Sequence, residues 1–282
     1  MKLDTVNLPI CSELFRVSDE LGSQFHTLTE GSDHSNGVVG YFMNARGKML
    51  RPALILLSAH VAETQSNFPA DKVIQLAIAA ELIHNASLIH DDIIDGSDSR
   101  RGHLTLNHVF STKLAVLAGD LLYSRAISIL SRNFESHITG ILSNSAEQMC
   151  VGEIDAAQGP MQTVSQYLKL IHDKTALFMS ACCKCGALVS GRNNQSEKAL
   201  SDFGLNFGLS YQLFDDYEDQ DIPLSIDLDL PATAYEYAGK AKDSLASVDD
   251  SAYKQSLLGL VDYVAEKYHT KNEIEPIGLH VK

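Results

Sequence analysis

The chain has 282 residues, of which 45% are apolar and seven are proline, and it carries a formal net charge of −14. This length and apolar share are enough for one large hydrophobic core. The negative charge argues against nucleic acid as a partner, because phosphate backbones are bound by clustered Lys and Arg.

Other classes of protein are disfavoured by local patterns. The N-terminus lacks the basic-then-apolar pattern of a signal peptide, and no uncharged run reaches membrane-spanning length. The five cysteines are an odd number, which favours reduced thiols in a cytoplasmic protein. Cys182, Cys183 and Cys185 have no second ligand pair at metal-binding spacing, so we expect them to pack in a buried helix.

Helical spacing of Leu, Ala, Ile, Glu, Lys and Gln fills the stretches between prolines, whereas strand-like alternation is scarce. We therefore predict an all-α, single-domain bundle of about ten helices. One or two leading helices are expected in residues 1–45, and the next contains Pro52 in its first turn. The later predicted helices are, in chain order, 71–95, 114–130, 136–157, 164–171, 174–191, 197–219, 232–247 and 250–269.

Three segments are predicted to lie outside the helices. Residues 96–102 form a charged loop after the helix that ends at residue 95. Residues 220–231 are a short connection that contains two prolines. Residues 271–282 are expected to be a loosely held tail.

Two acidic clusters stand on predicted helices, and each follows an apolar run. Their members are Asp91, Asp92 and Asp95 in the first cluster, and Asp215, Asp216, Glu218 and Asp219 in the second. Carboxylates at i, i+1 and i+4 place at least two on one helix face. Either cluster alone is typical of a solvated helix. Two that emerge from buried helices need partners, and carboxylate oxygens suit Mg²⁺ and the phosphates it carries.

Two pairs of basic residues are also candidates for the site. Lys48 and Arg51 lie in the turn that ends at Pro52, and Arg100 and Arg101 follow the first acidic cluster. The basic turn alone would be interpreted as a solvated loop. Paired arginines next to a metal site suggest a bound diphosphate, because the planar guanidinium holds phosphate through two hydrogen bonds.

Together these segments resemble the trans-isoprenyl diphosphate synthases, also called polyprenyl synthetases. The resemblance is carried, in chain order, by Gly47–Pro52, His84–Asp95, Arg100–Gly102, Gly119-Asp120, Gly152-Glu153, Lys174-Thr175 and Gly208–Asp219. It implies an isoprenoid synthase-like domain over residues 1–282 with a deep central cavity, and a homodimer. It also implies Mg²⁺ as cofactor, with isopentenyl diphosphate and an allylic diphosphate as substrates.

The resemblance implies a role for each matched residue. Asp91, Asp92 and Asp95 would hold Mg²⁺ on one side of the allylic diphosphate and Asp215 on the other. Asp216 and Asp219 would act through water or behind the metal ligands. Arg100, Lys174 and Gln212 would support that diphosphate. Lys48, Arg51, His84 and Arg101 would bind isopentenyl diphosphate, and Thr175 and Gln212 would stabilise a carbocation with their oxygen dipoles.

The resemblance also predicts product length. In that family, bulky side chains at two positions just before the first acidic cluster limit how far the prenyl tail can grow. Ala86 and Ser87 are both small, so a prenyl tail of about twenty carbons or more should fit, and Ala86→Phe should shorten the product.

The chain departs from the family after Asp219. The family usually has a Gly-Lys turn there, whereas the first lysine after Asp219 in this chain is Lys240. Two alternatives to chain elongation therefore stay open. One is a terpene cyclase, which needs no second diphosphate site, and the presence of Lys48, Arg51, His84 and Arg101 argues against it. The other is a catalytically impaired partner subunit, against which the complete acidic clusters argue.

Overall fold

The computed structural model describes residues 2–28, 33–44, 47–63, 68–100, 102–159, 161–191, 194–219 and 227–272. Within these ranges the chain is helical almost throughout, which confirms the predicted all-α class. The α-helices are α1 Leu3–Val6, α2 Cys11–Leu28, α3 Asp33–Asn44, α4 Leu50–Val61, α5 Ala70–Ile94, α6 Leu106–Val109, α7 Thr112–Asn133, α8 Ser136–Ala157, α9 Val164–Ile171, α10 Leu177–Ser190, α11 Asn194–Asp219, α12 Leu230–Ser244 and α13 Ala252–Asn272.

Short elements account for most of the difference from the prediction of about ten helices. Helices α1 and α6 have four residues each, too few for a periodic pattern to be visible in the sequence. A 3₁₀ turn, Leu8–Ile10, precedes α2. The predicted loop at 96–102 includes part of a small hairpin, in which β1 (Ser99–Arg100) pairs antiparallel with β2 (His103–Leu104).

Helix α5 is the central element of the core. It contacts α2, α4, α7 and α10, and residues on every side of it are fully buried. A helix that is apolar all round is stable only when other helices surround it. Its C-terminal end, which carries the first acidic cluster, is therefore held in a fixed place relative to its neighbours.

In the part of the chain that the structure describes, two helices are long and apolar enough to cross a membrane, as judged by length and composition alone. They are α5 and α7, and 67% of the apolar window of α5 is buried within the protein, against 39% for α7. Helix α5 is thus a core helix, whereas α7 leaves an apolar face uncovered.

Helix α10 packs closely, as its small residues predict. Cys182, Cys183 and Cys185 are all buried in it as free thiols. A side chain at Gly186 would place its Cβ 2.5 Å from the carbonyl oxygen of Ile55, so α10 and α4 approach each other backbone to backbone. This contact sets the position of α4, whose first turn carries Arg51.

The C-terminal helices cover the second acidic cluster. Helix α12 packs along α11, and α13 contacts α4, α11 and α12. The predicted short connection lies largely outside the described residues, as does nearly all of the predicted tail.

Candidate active site

A cavity of about 530 Å³ lies among the first turn of α4, the C-terminal half of α5, α8, the segment after α9, and α11. A π-helical turn, His172–Ala176, joins α9 to α10 and carries two of its lining residues, Lys174 and Thr175. Such turns widen the helix locally and occur often at functional sites.

Most of the residues predicted for the site line this one cavity. They are Lys48, Arg51, His84, Ser87, Asp91, Asp95, Arg100, Lys174, Thr175, Gln212 and Asp215. The two acidic clusters, from helices far apart in the chain, therefore face a common space. Ala86, Asp92, Asp216 and Asp219 are not among the lining residues, and Arg101 lies outside the described residues.

Asp91 is held largely out of water at this cavity. Only 14% of its side chain is exposed, and the Nζ atom of Lys174 is 4.0 Å from its Oδ2 atom. Burial raises the pKa of the Asp91 carboxyl to about 6, and Lys174 opposes that rise. A carboxylate in this position gains from any further cation nearby.

Lys174 is the cation that pairs with the acidic side chains on this side of the cavity. It forms ion pairs with Asp91 and with Glu153 of α8. Burial alone would lower the pKa of Lys174, but Asp91 and the Glu153 hydrogen bond outweigh burial, and the pKa is raised. Lys174 therefore stays charged and can bind an anion that enters the cavity.

Asp92 and Arg100 are predicted to bind metal and diphosphate respectively, and here they bind each other. The Nε atom of Arg100 donates to Oδ1 of Asp92 at 2.6 Å, and only 5% of the Asp92 side chain is exposed. The ion pair links α5 to the hairpin strand β1. It holds Arg100 at the wall of the cavity, which Arg100 also lines.

Arg51 and His84, which were both predicted to bind isopentenyl diphosphate, lie side by side. The Nη1 atom of Arg51 is 2.9 Å from Nε2 of His84. Since a guanidinium can only donate, Nε2 of His84 accepts in this contact. Lys48, which is exposed, lines the same cavity.

A lysine side chain that no local sequence pattern indicated forms an ion pair with the second acidic cluster. The Nζ atom of Lys267 on α13 is 2.7 Å from Oε2 of Glu218. Burial and then Asp219 raise the pKa of Asp215, and Lys267 is the larger of two cations that oppose the rise. Forty-nine residues separate Glu218 from Lys267, so no motif spacing could have indicated the pair. Lys240 instead pairs with Glu236 on α12.

Other residues that line the cavity were not predicted as site residues, among them Glu81, Tyr123 and Glu153. The signal for Glu153 was present in the Gly152-Glu153 pair. Glu81 precedes His84 by three residues, which places it on the same helix face. Tyr123 has no local signal, because its place depends on the packing of α7 against α5.

Comparison with known proteins gives one family. The family model described as polyprenyl synthetase matches residues 33–221. A geranylgeranyl diphosphate synthase of Methanosarcina mazei is 35% identical over 191 residues, which cover 65% of this chain and 58% of that protein. A heptaprenyl diphosphate synthase component 2 of Bacillus subtilis is 35% identical over 182 residues, or 64% of this chain and 51% of that protein.

The fold also matches a solved structure over nearly its whole length. A polyprenyl synthase from Caulobacter crescentus CB15, complexed with calcium and isoprenyl diphosphate, has a TM-score of 0.81 at 24% identity. The match covers 94% of this chain and 97% of that chain. In sequence, the matched segment spans between half and two thirds of the length of the two curated relatives above.

The burial of Asp91 predicts a pH-dependent stability in metal-free protein. Burial raises the pKa of Asp91 from an ordinary 3.8 to about 6 in the folded protein. The contribution of protonated Asp91 to folding stability is therefore fully present below pH 3.8 and is lost as the pH rises through 6. Between about pH 4.5 and 7.5, the free energy of unfolding of wild type should fall by about 2 kcal/mol relative to that of Asp91→Asn. Denaturant unfolding in EDTA measures this.

The control is Asp249→Asn, at an exposed position. It should follow wild type across the same pH range. A constant difference between wild type and Asp91→Asn at every pH would contradict the burial of a charged Asp91.

Proposed function

This chain belongs to the polyprenyl synthetase family, and we propose that it is a Mg²⁺-dependent prenyltransferase that condenses isopentenyl diphosphate with an allylic diphosphate. One observation carries the proposal. Carboxylates of two distant helices, and cations from three other segments, line the same cavity. This combination suits a diphosphate bound through metal on one side and a second diphosphate held by basic side chains on the other.

The acidic residues fit magnesium. Asp91, Asp95 and Asp215 supply oxygen atoms to the cavity, although no group of three His, Cys, Asp or Glu side chains in the described residues is close enough to form a complete cage. Mg²⁺ usually retains waters and is bound by one or two carboxylates together with substrate phosphates, so a complete cage is not required. Magnesium bound there would neutralise charge on the departing diphosphate.

The basic side chains divide into two groups by position. Lys174 and Arg100 lie beside the first acidic cluster and would hold the allylic diphosphate. Lys48, Arg51 and His84 would bind isopentenyl diphosphate, with Arg101 added from the resemblance. As the allylic C–O bond breaks, Lys174 stabilises the charge that develops on the leaving oxygen.

The carbocation that results must be kept from water. The cavity wall includes the apolar side chains of Leu88, Ile94, Met149 and Ile154, which exclude water from the reacting carbon. The oxygen of Thr175 and the carbonyl oxygen of Gln212 present partial negative charge at the same wall. The double bond of isopentenyl diphosphate attacks the cation, and a proton then passes to the released diphosphate.

Turnover with isopentenyl diphosphate, Mg²⁺ and allylic primers of several lengths tests the proposal. We expect a linear polyprenyl diphosphate, no product in EDTA, and a loss of at least about a hundredfold in kcat for Asp215→Asn, because that variant removes charge at the leaving group. Asp249→Asn is the control and should retain wild-type turnover.

The other outcomes identify the alternatives. A cyclic hydrocarbon would indicate a terpene cyclase. Absence of turnover, together with binding to an active synthase, would indicate a partner subunit, which the name of the B. subtilis relative makes worth testing. Either result contradicts the proposed elongation activity.

We propose a product of about twenty carbons or more, and the small side chain of Ser87 at the cavity wall, four residues before Asp91, supports this. Ser87 lines the cavity, whereas Ala86 is fully buried.

Ser87→Phe should therefore place its ring in the path of the prenyl tail and shorten the product, as measured by chromatography of dephosphorylated products. Ser87→Ala should leave product length unchanged, and unchanged length in Ser87→Phe would contradict this path. Ala86→Phe, predicted from the sequence to shorten the product, should also lower stability because its site is closely packed.

We also propose a homodimer, formed through the uncovered face of α7. Leu114, Leu117 and Ile127 of that helix are 40%, 53% and 55% exposed. Several large apolar side chains exposed on one helix are typical of an interface. The five free thiols support a cytoplasmic location for such an assembly.

A charge in the face of α7 tests the dimer. Leu117→Glu should convert the dimer to a monomer in light scattering, because a charge cannot be buried unpaired between apolar surfaces. Phe15→Glu, at a site 73% exposed on α2, is the matched control and should remain dimeric. A wild-type monomer, or a dimeric Leu117→Glu, would contradict the proposed interface.

A further inference from the structure

A chain of hydrogen bonds connects the cavity to a buried tyrosine on α9. Thr175 donates its hydroxyl to Oε1 of Gln212 at 2.8 Å. The Nε2 atom of Gln212 donates to Oδ1 of Asp216 at 2.7 Å, and the hydroxyl of Tyr167 donates to Oδ2 of Asp216 at 2.6 Å. The chain thus joins the π-helical turn, α11 and α9.

The chemistry of the donors sets the direction of the Gln212 amide. An ionised carboxylate can only accept, so Asp216 selects the NH₂ end of the amide and directs the carbonyl oxygen towards Thr175. In the reverse orientation, two acceptors would face each other and the cavity wall would present N–H groups. Such a wall would repel a positive charge on the reacting carbon.

Tyr167 in turn holds Asp216. Its ring is 3% exposed and packs in the core, so the hydroxyl is delivered to Oδ2 by a rigid side chain. A hydrogen bond to a charged acceptor in such a buried place is stronger than one at the surface. With one oxygen bound by Tyr167, the other is directed at Gln212.

The backbone beneath this chain is also closely packed. A side chain at Gly208 would place its Cβ 2.6 Å from Cα of Ala176, so α11 lies directly against the π-helical turn. Thr175 and Gln212 therefore meet at a distance set by the backbone. The Gln212 amide could still rotate about its last side-chain bond, and its hydrogen bond to Asp216 fixes that rotation.

We propose that Tyr167 and Asp216 are positioning residues that fix the Gln212 amide with its oxygen at the cavity wall. The proposal rests on the proposed prenyl transfer, in which that oxygen faces the carbocation. It gives Asp216 a role that differs from the metal-directed one expected from the acidic motif, since Asp216 does not line the cavity. Tyr167 belongs to none of the motifs in the sequence.

Steady-state kinetics of Tyr167→Phe provides the first test. Loss of the hydroxyl should lower kcat about tenfold, while KM for both diphosphates and the Mg²⁺ concentration for half-maximal rate stay at wild-type values. In a Gln212→Ala background, Tyr167→Phe should have no further effect on kcat, because it acts through that amide. Asp216→Asn should lower kcat in the same way, and it tests the proposal independently of the folding of Tyr167→Phe.

The matched control is Tyr263→Phe, a partly buried tyrosine on α13 that does not line the cavity. It should leave kcat unchanged. A wild-type kcat in Tyr167→Phe, or an equal effect of Tyr167→Phe with and without Gln212, would overturn the proposal. A raised Mg²⁺ requirement in Asp216→Asn would assign that residue to the metal instead.

A readout without turnover separates this proposal from the proposed function. With ¹⁵N-glutamine labelling, the NH₂ signal of Gln212, assigned by its loss in Gln212→Ala, should move in Tyr167→Phe and not in Tyr263→Phe. If wild type made no prenyl product but the signal moved, prenyl transfer would fail and the positioning contact would stand. If wild type were active and the signal unmoved, the positioning role would fail.

Discussion

Carboxylates held out of water at a shared cavity are the constraint on which this structure depends. Burial raises the pKa of both Asp91 and Asp215, and in each case nearby cations oppose the rise by favouring the charged carboxylate. Lys174 and Lys267 supply part of that charge, from elements distant in sequence. The site is therefore stable only when several helices are assembled, and an added divalent cation would stabilise it further.

Within each Asp-Asp pair, the two carboxylates have different environments. Asp91 and Asp215 line the cavity, whereas Asp92 and Asp216 are hydrogen-bonded by side chains of other elements. Adjacent residues on a helix point about 100° apart, and here the first aspartate of each pair lines the cavity while the second does not. The second aspartate of each pair is thus available to hold a neighbouring functional side chain in place.

The scaffold explains how such contacts keep their geometry. Helix α5 is buried on every side, and glycines on α10 and α11 allow helices to meet at backbone distance. Interiors packed this closely resist displacement of one helix relative to another. The π-helical turn then brings Lys174 and Thr175 to the cavity from a segment that a regular helix would orient differently.

The sequence by itself determined the helical class, most helix bounds and the residues of both acidic clusters, because helical periodicity and motif spacing are encoded within a few turns. It also indicated Lys48, Arg51, His84 and Lys174, whose roles stay predictions. Only the tertiary structure decided which carboxylates face the cavity, and that Tyr167 and Lys267 approach the second cluster. These contacts join residues about fifty positions apart, so they depend on how helices pack, which no local pattern records.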